Sequence, residues 1–335
     1  MNIASRPGFA SLLPQGGLSK YQWLLVTSCL ATFVLIVIGG TVRATGSGDA
    51  CPDWPRCHGQ LLPPLETKVL IEFSHRLVAS VVGFLVLAIA IVGWRSQRDP
   101  VLRWGGVVAV GLVIAQIILG GLTVLNDLSA NLVTAHLALA STLFATLILL
   151  ALVSIVPKPA TASMSAGNLR GVALLSTIAV FAVMMTGSYV SGSGASLAFS
   201  DWPLFNGSVV PDGGRLAMIH ATHRFAVLLL GLLLGYFAHQ AGRANSDNAL
   251  LRFGPAVVFA LYLGQALVGA ANIWTSLQPS AMAAHLALAE LLWAVVVAIA
   301  ATTQLLTAPT THVTVTRAGQ SSGQLRGTAA AGETS

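Results

Sequence analysis

Charge is the property this chain most lacks. Only 8% of its 335 residues are charged, where a soluble domain carries about a quarter. With 55% hydrophobic residues, the apolar material is too much for one water-soluble core, so a soluble globule is excluded. Regular alternation of apolar and polar residues is missing, which excludes an outer-membrane barrel. No small-residue cleavage site follows the first apolar stretch, so a cleaved signal is not expected. Matched Gly/Pro interruptions at mid-span are also lacking, and such breaks mark the binding sites of many transporters.

What the chain does have is long apolar runs. Eight stretches, at 22–42, 70–94, 104–125, 132–156, 171–190, 216–238, 255–275 and 281–306, each reach the ~20 residues a membrane-crossing helix needs. The fold class implied is an all-α integral membrane protein of eight transmembrane helices. The net charge of +6 raises the question of nucleic acid, but the placement of the cations argues against it. Lys20, Arg95, Arg98, Arg103, Lys158, Arg170, Arg243 and Arg252 fall at one set of span ends. Arg43, Arg56, Lys68 and Arg215 are alone at the other. This is the positive-inside bias, and it predicts that both termini are cytoplasmic.

The chain is a direct duplication. AHLALA occurs at 135–140 and again at 284–289. Gln116 precedes His136 by 20 residues and Gln265 precedes His285 by 20; Gly120 and Gly269 match in the same register. His75-Arg76 matches His223-Arg224, and Asp53-Trp54-Pro55 matches Asp201-Trp202-Pro203. Four spans per repeat leave both halves in one orientation, so the arrangement predicted is two four-helix bundles related as parallel repeats. The divisions are a cytoplasmic segment 1–21, repeats 22–156 and 171–306, a linker 157–170, and a disordered tail 307–335.

Five of the eight histidines lie in predicted spans near their outer ends: His75, His136, His220, His223 and His285. An ionisable group inside a span is costly and marks a functional site by default. Four of the five recur in the repeat, about one turn inside spans 2, 4, 6 and 8, or ~5–8 Å from the boundary at 1.5 Å per residue. Pairs of inward-facing side chains are how bundles build cofactor sites. A bare zinc or copper ion calls for further ligands, whereas two neutral imidazoles suit the axial positions of a haem iron. Arg76 and Arg224 stand beside them, either as partners for haem propionates or as side chains reaching the headgroups.

The halves differ chemically. Glu72 shares a helix face with His75, and the matching residue in the second half is His220. A buried carboxylate can take or give a proton; Glu72 can equally pair with Arg76. His220 suits a supporting hydrogen bond better than ligation. Glu290 has no evident counterpart in the first repeat. Cys51 and Cys57 flank the first outer loop, where an oxidising compartment favours a disulfide, either a loop staple or a redox pair. Phe199 and Phe205 take those places in the second half.

Together the fourfold histidine pattern, Glu72-Phe73-Ser74-His75-Arg76, the AHLALA histidines and the Cys51/Cys57 loop resemble the haem A synthase family over about residues 20–306. The resemblance implies an oxidoreductase that turns a ring methyl of haem O into the formyl group of haem A for cytochrome oxidase, through hydroxylated intermediates. It implies that His75 and His136 receive substrate haem O, with Glu72 assisting, and that His223 and His285 hold a haem b cofactor. A haem O synthase, an electron acceptor such as quinone and a second copy of the chain are the partners it suggests. The second cysteine pair of some bacterial members is absent here. A di-haem electron-transfer cytochrome accounts equally for the four histidines, though not for the asymmetry; a haem transporter is a third reading.

Overall fold

The computed structural model describes residues 17–60, 62–156, 167–244 and 248–307. The expected N-terminal segment before residue 17, the linker over 157–166 and the tail from 308 lie outside the described residues. Among those described, eight α-helices follow one another: α1 (Lys20–Ala44), α2 (Thr67–Ser96), α3 (Pro100–Leu125), α4 (Ala130–Ile155), α5 (Gly167–Gly192), α6 (Arg215–Ala244), α7 (Ala249–Trp274) and α8 (Pro279–Thr307). All eight are long and apolar enough to cross a membrane. The chain is a multi-pass, all-helical membrane protein.

The helices begin where the local chemistry lets them. Ser19 caps α1 and exchanges hydrogen bonds with Gln22 in a capping box. Asp99 caps α3 ahead of Pro100, which needs no partner for a missing N–H in the first turn. Asn248 accepts from the N–H groups of Leu250 and Leu251, so α7 starts six residues before the apolar run at 255 and carries Pro255 inside it. α2 and α6 likewise begin earlier than their apolar runs, at Thr67 and Arg215. Polar residues at a helix end do not stop a helix; they only leave the hydrophobic stretch.

Sequential helices pack on one another within each half, and α1 also packs on α4 and α5 on α8. The halves meet where α1 touches α8, α4 touches α5, and α4 crosses α8. One apolar core lies among α1–α4, around Leu25, Val86, Ile89 and Leu147. The other lies among α5–α8, around Leu234, Phe237, Val258 and Val296, and extends to Ile36 of α1 and Phe144 of α4. Small residues bring the halves together: a Cβ on Gly192 of α5 would stand 2.9 Å from the Ala130 Cα of α4. At one end Arg43 donates to the Ser191 carbonyl at 3.1 Å.

Tryptophans mark the two ends. Trp23, Trp94 and Trp104 are exposed at one end, and Trp54, Trp202 and Trp274 at the other. Indole rings favour the two membrane–water interfaces in this way. The second of these ends carries the long connections 45–66 and 193–214, and is called the long-loop end below.

Candidate functional site

All four repeat-related histidines sit at the long-loop end. His75 and His223 are the ninth residues of α2 and α6, and His136 and His285 the seventh of α4 and α8. Measured from the helix starts they are ~9–12 Å in, at 1.5 Å per residue. The expected ~5–8 Å is counted from the starts of the apolar runs, which lie inside the helix starts. His75 and His136 lie near each other in the first half of the chain, and His223 and His285 in the second.

Each imidazole lies against a glycine of the preceding helix. A Cβ on Gly39, Gly120 or Gly269 would stand 3.0 Å from Cε1 of His75, His136 or His285, and one on Gly187 2.9 Å from Cε1 of His223. A methyl group at any of these places would push the ring aside. Gln116 donates to the His136 carbonyl at 3.1 Å and reaches Nε2 of the same ring at 3.1 Å. Gln265 donates to the His285 carbonyl at 2.9 Å. The register of the repeat pointed to the two glutamines and to Gly120 and Gly269 but not to their role. Gly39 and Gly187 went unread, because a lone glycine in an apolar helix carries no signal until the facing helix is known.

No group of three or more His, Cys, Asp or Glu side chains that could hold a metal ion occurs among the described residues. The donors come in twos. Each histidine retains accessible surface, while Nδ1 of His75, His136 and His285 is buried. Two imidazoles per half, with no third donor among the described residues, are a donor set that suits a haem better than a bare ion.

Above the first pair, Cys51 and Cys57 form a disulfide and both are buried. Glu72, only 3% exposed, accepts from the Cys51 N–H at 2.7 Å and pairs with Arg76. Arg76 donates to the carbonyls of Cys51 at 3.0 Å, Asp53 at 3.0 Å and Arg56 at 2.7 Å. Glu72 and Arg76 thus tie the disulfide loop down beside His75. Above the second pair the same places hold different chemistry. Arg224 donates to the carbonyls of Asp201 at 2.9 Å and Leu204 at 2.6 Å. Its Nε donates to Nε2 of His220 at 3.2 Å. The guanidinium also lies over the rings of Phe199 and Phe205, which replace the disulfide.

The loops themselves repeat. The Asp53 carboxylate accepts from the N–H groups of His58 at 2.6 Å and Gly59 at 2.8 Å; Asp201 accepts from Asn206 and Gly207, both at 2.7 Å. The donating residues have positive φ, 54° and 71° in the first turn and 55° and 80° in the second. The Gly59 and Gly207 N–H groups hold the Asp53 and Asp201 carboxyls below the usual range, the His58 and Asn206 N–H groups adding to the effect.

Residues 22–297 match the COX15-CtaA model of cytochrome oxidase assembly proteins. The chain belongs to the COX15-CtaA family. Curated members resemble it along most of their length. One, named Heme A synthase, from Shouchella clausii (strain KSM-K16), is 33% identical over 259 residues, 75% of this chain and 85% of its own. Another of that name, from Lysinibacillus sphaericus (strain C3-41), is 27% identical over 282 residues, 81% of this chain and 91% of its own. A third, from Staphylococcus aureus (strain bovine RF122 / ET3-1), is 28% identical over 273 residues, 78% and 88% of the two chains. The COX15-CtaA match runs from within α1 to within α8 and includes both histidine pairs.

Proposed function

We propose that this protein is a haem A synthase that oxidises a ring methyl of haem O to a formyl group. The observation carrying this reading is the asymmetry of two otherwise matched histidine pairs. Only the first is overlaid by a buried carboxylate joined to a disulfide loop. A simple electron-transfer cytochrome gives no reason for that difference.

In this reading His75 and His136 hold substrate haem O, and His223 and His285 hold a resident haem b. The haem b supplies one-electron transfer. With water as the oxygen source, conversion of methyl to formyl (CH3 + H2O → CHO + 4 H+ + 4 e−) passes four electrons to two quinones and releases protons that must leave the first pocket. Glu72 is the group beside His75 that can take one up. Arg76 and Arg224 hold the loops at the pocket mouths, where their charge matches the propionates of a haem. Apolar helix faces exclude water from the macrocycle. The cation bias supports a long-loop end that faces outward from a bacterial cytoplasmic membrane. Haem O synthase as donor and quinone as electron acceptor are the partners this chemistry calls for.

The test is haem extraction and chromatography of the protein purified from cells that also make haem O. Haem b together with haem O or haem A is the expected result. Two haem b per chain with no formyl product would replace this reading with the electron-transfer cytochrome.

A further inference from the structure

Three of the four imidazoles have a buried Nδ1 with no hydrogen-bond partner, namely His75, His136 and His285. His223 differs. Thr186 Oγ1 is 2.8 Å from His223 Nδ1 and 2.8 Å from the Val183 carbonyl. A hydroxyl has a single proton, and a carbonyl can only accept. The proton therefore goes to Val183, as Thr hydroxyls in helices commonly bond back to the preceding turn, and Oγ1 accepts from Nδ1–H. The neutral ring then keeps its free lone pair on Nε2. That is the nitrogen left for iron when Nδ1 makes the outer contact. Gly187, the next residue of α5, stands under the same ring. Thr186 and Gly187 together fix the tautomer and the orientation of His223.

The first half has the glycine and not the hydroxyl. His75 precedes His223 by 148 residues (223 − 75), and the same offset takes Thr186 to Ile38 (186 − 148). His75 Nδ1 is buried with no hydrogen-bond partner.

We propose that Thr186 is a positioning residue that makes the second pocket retain its haem, while Ile38 leaves the His75 ring loosely held, as a pocket that exchanges substrate for product requires. This rests on the allocation of haem b to the second half proposed above. A synthase must keep one haem and release the other, and two equally rigid pockets would not do so.

The test uses the full chain with three substitutions. Thr186→Val keeps the shape and removes the acceptor. It should speed loss of haem b to apomyoglobin by ~10-fold or more, the usual size of an outer-shell effect on a metal-binding histidine. It should also raise the midpoint potential, because an imidazole without its Nδ1 contact donates less well to ferric iron. Thr186→Ser should restore both; a role in helix packing alone would not move the potential. Ile38→Thr should slow release of haem from the first pocket. Parent values of off-rate and potential in Thr186→Val, or parent release in Ile38→Thr, would overturn the proposal. Retention of haem b by His223→Ala would overturn the allocation of halves, and the role of Thr186 with it.

Discussion

Ser141 and Glu290 stand at the same place in the two repeats, 149 residues apart, and are hydrogen-bonded to each other at 2.7 Å. Ser141 follows His136 by five residues, and Glu290 follows His285 by five. Both are fully buried where α4 crosses α8. Trp293 donates to the Ser141 carbonyl at 3.0 Å in the same place. Glu290 does have a counterpart in the first repeat, and that counterpart is its partner. A residue can touch its own repeat image only where the two halves meet.

This pair should contribute to holding the halves together. Interhelical hydrogen bonds in membranes average ~0.6 kcal/mol and reach ~1.7. A double-mutant cycle of Ser141→Ala and Glu290→Gln, followed by unfolding in mixed micelles, should give a coupling in that range. Additive effects would mean that the two groups do not support each other.

The histidine substitutions separate the pockets. His223→Ala and His285→Ala should each yield protein without the retained haem b, while His75→Ala should keep it. Pyridine haemochrome quantification of the purified variants decides the matter; loss of haem b from His75→Ala would reverse the order of the halves.

Glu72→Ala should keep haem b and lower haem A formation by ~100-fold or more, the usual contribution of a positioned acid or base. Cys51→Ser leaves the N–H that faces Glu72 in place and removes only the disulfide. If the disulfide takes part in turnover, this variant loses activity with both haems bound; full activity would leave Cys51 and Cys57 as a staple.

Acid should loosen the two loops, and neutral pH should not. The Asp53 and Asp201 carboxyls are held below their ordinary value by the Gly59 and Gly207 N–H groups. A carboxyl depressed in the folded state stabilises it fully above the unfolded value of about 3.9, and that stability is lost as pH falls through the lower folded value. Hydrogen exchange should show constant protection at Gly59 and Gly207 from pH 8 to 5, and loss of protection below about pH 4. Asp53→Asn should remove that dependence in the first loop alone.

Much of this was legible in the sequence because membrane helices are set by composition and the duplication supplied a second copy of each motif. His75, His136, His223 and His285 stood out as polar groups in apolar runs. Glu72 and the cysteines stood out by breaking the symmetry. Contacts across helices were not legible. Thr186 looks like any small polar residue in a span until α6 is placed beside α5. Gly39 and Gly187 acquire meaning only from the ring lying on them. Ser141 and Glu290 could not be paired before α4 was known to cross α8. The helix starts were missed because hydropathy locates lipid, whereas backbone hydrogen bonding and caps such as Asn248 locate helices.

The four glycine seats bear on how such a chain can change over time. From Gly39 to His75 is 36 residues (75 − 39), as from Gly187 to His223 (223 − 187); from Gly120 to His136 is 16 (136 − 120), as from Gly269 to His285 (285 − 269). The copies have exchanged a disulfide for two phenylalanines and a glutamate for a histidine, yet between seat and imidazole neither has gained or lost a residue relative to the other. One residue inserted between glycine and histidine within either helix would turn the ring by about 100° off its seat. Substitution is therefore the open route for divergence here, and insertion or deletion is tolerated only in the connections that leave both helices in register.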